Sequence, residues 1–152
     1  MYIKDFFENY KNDKIKLFVD MDGVIADYDV GKPSNYDEKR PLFSNISKLN
    51  EISKESNIEL YILSVCRMTE GIEQKNYWLD KYAPFFKKEN RVILDRESND
   101  FQHSKDLKLN YIKSLNNENC LIAVIDDDCQ ILKELNENIK NIILLKDTAL
   151  VD

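Results

Sequence analysis

The sequence has few of the residues that interrupt a fold. Its 152 residues include three glycines and three prolines, too few for a flexible linker, a low-complexity stretch or an internal repeat to stand out. The apolar fraction of 43% is enough to form a core. We therefore expect a single domain over residues 1–152.

Cysteines and long apolar runs are also scarce. The three cysteines, Cys66, Cys120 and Cys129, are odd in number and lack the spacing of a metal site. No signal-like apolar leader is evident, and no apolar stretch approaches about 20 residues, which argues against a membrane partner. These absences predict a reduced, cytoplasmic protein.

Positive charge is in deficit, because the formal net charge is −6 and the pI is near 4.9. This balance argues against a protein that coats long nucleic acid. A small phosphorylated substrate such as a nucleotide is compatible with it, since Mg²⁺, a lysine and helix N-termini attract a phosphate locally while distant charge is screened over about 8 Å. The residues do not indicate an oligomeric state.

The most informative segment is an apolar run that ends in two carboxylates. Residues 15–19 predict a short buried strand, Asp20 and Asp22 follow it, and Gly23 permits a sharp turn. In an open parallel sheet, ligands bind at this end of the strands. Two crowded carboxylates repel each other unless a hard cation such as Mg²⁺ lies between them. The alternative is that both residues only cap a turn.

Strand-like runs alternate with helical patterns along the whole chain. This alternation predicts βαβ units and an α/β fold, a Rossmann-like three-layer sandwich with a parallel sheet and a minimal or absent cap. Residues 27–43 are expected to form a short loop or mini-cap near the site. The predicted strands are 15–19, 58–63, 91–94, 121–125 and 141–145, and the predicted helices are 2–10, 46–53, 68–82, 104–115 and 129–138, with Ile72, Tyr77, Trp78 and Leu79 partly buried.

Two further strand-like runs end in polar residues. Ser64 follows residues 60–63, and Asp126 and Asp127 follow residues 121–125. A cluster of acidic residues that only caps a helix is the alternative for the second run.

In their order, these segments resemble the motifs of the haloacid dehalogenase (HAD) superfamily of phosphatases and phosphotransferases. The run from Asp20 to Val24 is similar to the first motif, Ser64 to the second, and Asp126 with Asp127 to the fourth. Within the superfamily, the first motif and the Trp- and Tyr-containing helix after Ser64 resemble the 5'(3')-deoxyribonucleotidase branch. The phosphatase part of polynucleotide kinase-phosphatase enzymes is also similar.

The third motif of the superfamily is a lysine, and two residues of this chain compete for it. Lys105 is preferred, because it lies just inside a helix that Ser104 could cap. Lys108 is the rival, since residues three apart share a helix face. Either side chain could instead be an ordinary solvated lysine.

The resemblance implies a Mg²⁺-dependent phosphomonoesterase that forms an aspartyl-phosphate. Asp20 would be the nucleophile, and Asp22 would be the general acid and base and a metal ligand through its carbonyl. Ser64 and the third-motif lysine would contact the phosphoryl group. Asp126 would complete the Mg²⁺ shell that Asp20 and Asp22 begin, with Asp127 as a second ligand or an orienting neighbour.

The expected substrate is a (deoxy)nucleoside monophosphate. Arg67 could reach its phosphate or base, and Tyr28 could stack on the base, although a surface ion pair and loop packing are the ordinary roles for such residues. Three alternatives stay open: a polynucleotide end phosphatase, a non-catalytic module of the same fold that binds a phosphorylated ligand, and a two-component-like receiver.

Overall fold

The structure, a computed structural model, describes residues 1–28, 31, 35–116 and 119–151. Part of the predicted mini-cap, residues 29, 30 and 32–34, lies outside this range. The strands are β1 (Ile15–Val19), β2 (Ile58–Cys66), β3 (Arg91–Asp95), β4 (Leu121–Asp126) and β5 (Ile143–Lys146). The helices are α1 (Ile3–Asn9), α2 (Phe43–Ile52), α3 (Glu70–Tyr82), α4 (Ser104–Ser114) and α5 (Cys129–Asn138).

The five strands form one parallel sheet in the order β3-β2-β1-β4-β5. In the register, Val19 lies opposite Ile62 of β2 and Ile125 of β4. The carboxyl ends of these three strands therefore meet at one edge. The strand order confirms the predicted α/β, Rossmann-like class, and it differs from the 2-1-3-4-5 order of receiver domains, so the topology does not support that alternative.

Helices cover both faces of the sheet. Along β1, Leu17 packs in one apolar cluster and Phe18 in another, because successive strand residues point to opposite faces. The first cluster contains buried residues of α1, α2 and α3, and the second contains buried residues of α4 and α5. The three layers that the sequence predicts are present, and β1 lies at their centre.

Several element limits differ from the sequence-based expectation. β2 continues to Cys66, so Ser64 lies inside the strand and not after it. His103 is the residue that precedes the first turn of α4, and no cap by the Ser104 side chain is observed. β5 starts at Ile143 because Asn141 has a φ of 61°, a left-handed conformation that an extended strand does not permit.

One burial prediction is wrong. The side chain of Tyr77 is 61% exposed, although the helical pattern predicted partial burial. Trp78 and Leu79 are fully buried and define the inner face of α3. Tyr77 precedes Trp78 by one residue, which is about 100° around a helix of 3.6 residues per turn, and that rotation turns its ring toward solvent.

The described part of residues 27–43 folds back against the loop that follows β1. Ala26 forms isolated β-bridges with Asp22 and with Pro41, and a short 3-10 turn spans Tyr36–Glu38. This arrangement brings residues 36–41 to the carboxyl edge of the sheet. Among the helices of the described residues, none has the length and apolarity that a membrane span requires.

Candidate functional site

The turn after β1 brings two parts of the site together. Gly23 has a φ of 81°, which a residue with a Cβ rarely adopts. A Cβ atom at this position would also lie 2.0 Å from Oδ2 of Asp127. Glycine is therefore needed for the turn and for the close approach of the Asp127 carboxylate to the β1 loop.

Three carboxylates form an acidic cluster at this edge. One oxygen each from Asp20, Asp126 and Asp127 lie within 4.8 Å of one another. The backbone N–H of Asp128 donates to Oδ1 of Asp126 at 2.9 Å and orients that side chain. Asp128 itself caps α5 by accepting from the Gln130 N–H. Asp128 therefore supplies the helix cap, and the carboxylates of Asp126 and Asp127 belong to the acidic cluster with Asp20.

Of the two lysines considered from the sequence, the structure places Lys108, and not the preferred Lys105, at the acidic cluster. Lys108 Nζ lies 3.0 Å from Oδ1 of Asp20 and 2.7 Å from Oδ2 of Asp126, and its side chain is 3% exposed. Lys105 is 40% exposed and lies 3.4 Å from Glu134 of α5. The phase of α4 explains the difference, because Leu109 and Ile112 pack against the sheet and turn Lys108 inward with them.

Burial and like charge set the electrostatics of the acidic cluster. Burial raises the pKa of Asp20 to about 6, although the Lys108 ammonium opposes this rise. Burial, together with the Asp20 charge, raises the pKa of Asp127 to about 6, and burial also raises the pKa of Asp126. In each case the cost of burying a charged carboxylate outweighs the attraction of the Lys108 ammonium. Together, the three carboxylates can hold a metal ion.

A second cluster, absent from the sequence-based prediction, surrounds Asp22. Lys75 Nζ donates to Oδ2 of Asp22 and to Oγ of Ser64, both at 2.7 Å. Lys39 Nζ lies 2.9 Å from Oδ1 of Asp22 but outside hydrogen-bond geometry, so this contact is an ion pair. We call Lys39 and Lys75 the lysine clamp. Burial acts to raise the pKa of Asp22, but the two ammonium groups outweigh it and hold that pKa below its ordinary value.

Helix α3 and the 3-10 segment position the lysine clamp. Lys75 is fully buried on α3 and lies 4.4 Å from the ring centre of Tyr36. The indole N–H of Trp78, one turn further along α3, donates to the carbonyl of Lys39 at 2.8 Å. In the sequence, Lys75 lies on the same helical stripe as the apolar residues Ile72 and Trp78. This spacing predicts that the position is buried and does not indicate a role in the site. No pattern in the sequence marks Lys39.

A cavity of about 490 Å³ opens over the site. Tyr28 and Arg67, the two predicted substrate contacts, both line it, as does Arg96. The Arg67 guanidinium forms no hydrogen bond or ion pair with the described residues, so the surface pairing that would be its ordinary role is not seen there. Ser64 is fully buried and reaches the site through its bond to Lys75.

No family model matches the sequence, and no curated protein matches it. Two solved structures of the Pnkp1/Rnl/Hen1 RNA repair complex contain a chain of similar fold. One has a TM-score of 0.67 at 16% identity, covering 88% of this chain and 43% of that chain. The other has a TM-score of 0.68 at 14% identity, covering 89% and 46%. This chain spans less than half the length of those chains, and identity at this level shows the shared fold alone.

The charges of the two clusters nearly cancel. Asp20, Asp126 and Asp127 face Lys108, and Asp22 faces the lysine clamp, so four carboxylates oppose three ammonium groups. A bound divalent cation would turn this small negative balance into a positive one. Such a site attracts a dianion, because local charge dominates over the screened charge of the distant surface.

Proposed function

We propose that the chain is a Mg²⁺-dependent phosphomonoesterase of the HAD type. The observation that carries the proposal is the position of Asp20, whose carboxylate lies 3.0 Å from a buried ammonium and shares a cluster with Asp126 and Asp127. A carboxylate so placed can act as a nucleophile beside groups that neutralise a phosphoryl dianion.

The oxygen ligands of the acidic cluster fit Mg²⁺, which prefers carboxylates and retained waters. Asp20, Asp126 and Asp127 would hold the ion, and the missing Cβ of Gly23 leaves the space that Asp127 needs. Asp22 would contribute its carbonyl, since its carboxylate is held by the lysine clamp. The ion would supply positive charge that stabilises the transferring phosphoryl group.

The chemistry of the residues follows two steps. A carboxylate oxygen of Asp20 attacks phosphorus, the ester P–O bond breaks, and the leaving oxygen takes a proton from solvent water to become an alcohol. Water then attacks the phosphorus of the aspartyl-phosphate, which releases phosphate and restores Asp20. Lys108 neutralises the nucleophile and the transferring oxygens, a stabilisation that grows as charge gathers on them.

Asp22 is the group that exchanges protons in these steps. The lysine clamp keeps it ionised at neutral pH, so it is prepared to accept a proton from the attacking water. The resting structure supports this base role more directly than a role as acid. Esters with good leaving groups, which need no proton, should therefore react fastest.

The substrate that we propose is the phosphate of a nucleoside monophosphate. Tyr28 offers an exposed ring at the cavity, and Arg67 offers a guanidinium that pairs with none of the described residues; these groups suit a base and a phosphate. A phosphate at the end of a polynucleotide is the second candidate. It is favoured by the fold shared with chains of an RNA repair complex and opposed by the net charge of −6.

Phosphate release from a substrate panel tests the proposal. The panel contains nucleoside monophosphates, sugar phosphates and 3'-phosphorylated oligonucleotides, each assayed with Mg²⁺ and with a chelator. We expect release that requires Mg²⁺ and is lost in Asp20→Asn. Cleavage of oligonucleotides alone would replace the nucleotidase assignment with end processing. Ligand binding without turnover across the whole panel would identify a non-catalytic module and refute the enzyme.

A further inference from the structure

We propose that Lys75 is a positioning residue, which fixes the Asp22 carboxylate and the Ser64 hydroxyl in the arrangement that phosphoryl transfer requires. The inference rests on the proposed function and deepens it. It concerns the part of the site that lies on α3 and that no motif of the sequence marks.

The geometry shows one nitrogen shared between two groups of the site. Lys75 Nζ lies 2.7 Å from Asp22 Oδ2 and 2.7 Å from Ser64 Oγ. Asp22 follows β1 and Ser64 lies in β2, so the ammonium connects side chains from two neighbouring strands. Because both bonds end on one atom, neither side chain can rotate without losing its bond to Lys75.

The bond to Lys75 also determines what Ser64 can do. An ammonium has three donors and no acceptor, so the Ser64 oxygen must accept in this bond. The hydroxyl hydrogen of Ser64 therefore points away from Lys75, and the bond fixes the orientation of this fully buried side chain. A second effect falls on Asp22, whose two oxygens are held from two sides by Lys75 and Lys39.

The surroundings of Lys75 show that its partners lie in the site. Its side chain is fully buried, and a buried ammonium is unfavourable unless it is paired. The partners given by the structure are Asp22, Ser64 and the face of the Tyr36 ring. Trp78 and Leu79, which are fully buried on the same helix as Lys75, pack α3 against the hydrophobic core. An apolar residue in the position of Lys75 would remove the bonds to Asp22 Oδ2 and Ser64 Oγ, and it would leave Asp22 held by Lys39 alone.

The first experiment compares Lys75→Met with Lys81→Met. Lys81 is an exposed lysine on the same helix and serves as the matched control. With saturating Mg²⁺ and p-nitrophenyl phosphate, we expect Lys75→Met to lower kcat about 100-fold, the loss typical of a misplaced reacting group, while KM changes by less than about threefold. Lys81→Met should match the wild type in both constants.

A triple variant tests whether Lys75 contributes to kcat through Asp22 and Ser64 or independently of them. We expect that adding Lys75→Met to an Asp22→Asn, Ser64→Ala background lowers kcat by less than about threefold, because the groups on which Lys75 acts are already changed. A second full loss in that background would overturn the proposal, and so would wild-type kcat in Lys75→Met alone.

Folding and the proposed function are checked in the same series. Lys75→Gln keeps a donor for Ser64 without the charge, so we expect its kcat to lie between those of Lys75→Met and the wild type. If Lys75→Met and Lys75→Gln both lose the folded state in thermal melts, Lys75 is a structural residue and the positioning role is refuted. A wild type without phosphatase activity would refute the proposed function as well, whereas an active wild type with unchanged Lys75 variants would refute only this inference.

Discussion

The ammonium nitrogen of Lys108 lies 3.0 Å from Oδ1 of Asp20. The same nitrogen lies 2.7 Å from Oδ2 of Asp126, so one buried lysine joins the residue after β1 to the last residue of β4. These two strands are neighbours in the sheet, which is why residues more than a hundred positions apart share one cation.

Replacing Lys108 should reduce catalysis strongly. In Lys108→Met, the charge beside Asp20 and the transferring phosphoryl group is lost, and we expect kcat to fall by about 10²–10³, as for removal of a transition-state donor. Lys105→Met is the matched control, since Lys105 lies on the same helix but pairs with Glu134. Equal losses in the two variants would contradict the assignment of Lys108 to the site.

Gly23→Ala should impair both stability and metal binding. The new Cβ would meet the Asp127 carboxylate, and the φ of 81° would be strained, so we expect the free energy of unfolding to fall by about 1–3 kcal/mol. The affinity for Mg²⁺, measured by calorimetric titration, should fall because Asp127 must move.

The double variant Gly23→Ala, Asp127→Ala distinguishes the two causes. It removes the clash and keeps the backbone strain, so its loss of stability relative to Asp127→Ala should be smaller than the loss of Gly23→Ala relative to the wild type. Equal stability losses would show that the contact with Asp127 has no energetic weight.

Metal binding should weaken below about pH 6. Burial raises the pKa of Asp20 and of Asp127 to about 6 in the ion-free protein. A carboxylate must lose its proton to ligate a metal, so the apparent affinity for Mg²⁺ should fall as pH decreases from 7.5 to 5. Calorimetry across this interval checks the trend, and an affinity independent of pH would contradict it.

Asp127→Asn should stabilise the ion-free protein at neutral pH. The pKa of Asp127 is about 6 in the folded state, against an ordinary value of 3.8. Between these values the folded state binds more protons than the unfolded chain, so stability falls as pH rises through this interval. The asparagine escapes this loss, and after allowance for solvent screening we expect a gain of about 1–2 kcal/mol at pH 7.5.

Chemical denaturation at pH 7.5 and at pH 4 measures this effect. At pH 4 the carboxyl group of the folded wild type is protonated, so the two proteins should be nearly equal in stability. A gain of the same size at both values would exclude ionisation as its cause.

The acidic part of the site could be predicted from the sequence because it depends on strand ends. The run 15–19 and the run 121–125 are recognisable as buried strands, and parallel pairing then brings Asp20 and Asp126 to the same edge. The fold class followed from the same alternation of strands and helices. These features are properties of single segments, which a sequence displays directly.

The cationic part depends on helix rotation and on loop closure, which single segments do not specify. The sequence pattern places Lys105 and Lys108 on the same helix face and does not distinguish them. The packing of α4 on the sheet determines which of the two reaches Asp20. Lys75 lay hidden in an apolar stripe that predicted core. Lys39 reaches Asp22 through the fold of residues 36–41, for which the sequence carries no periodic signal.

The sheet order gives the two halves of the site different resistance to local opening. Asp20 follows β1 and Asp126 ends β4, and both strands lie in the interior of the sheet, so we expect their amides to exchange with solvent only when the sheet opens. Lys39 belongs to a segment tethered by a β-bridge at Pro41 and by the indole of Trp78. On warming, we therefore expect Lys39 to separate from Asp22 before the acidic cluster is disrupted, so Mg²⁺ binding should persist at temperatures where turnover has already ceased.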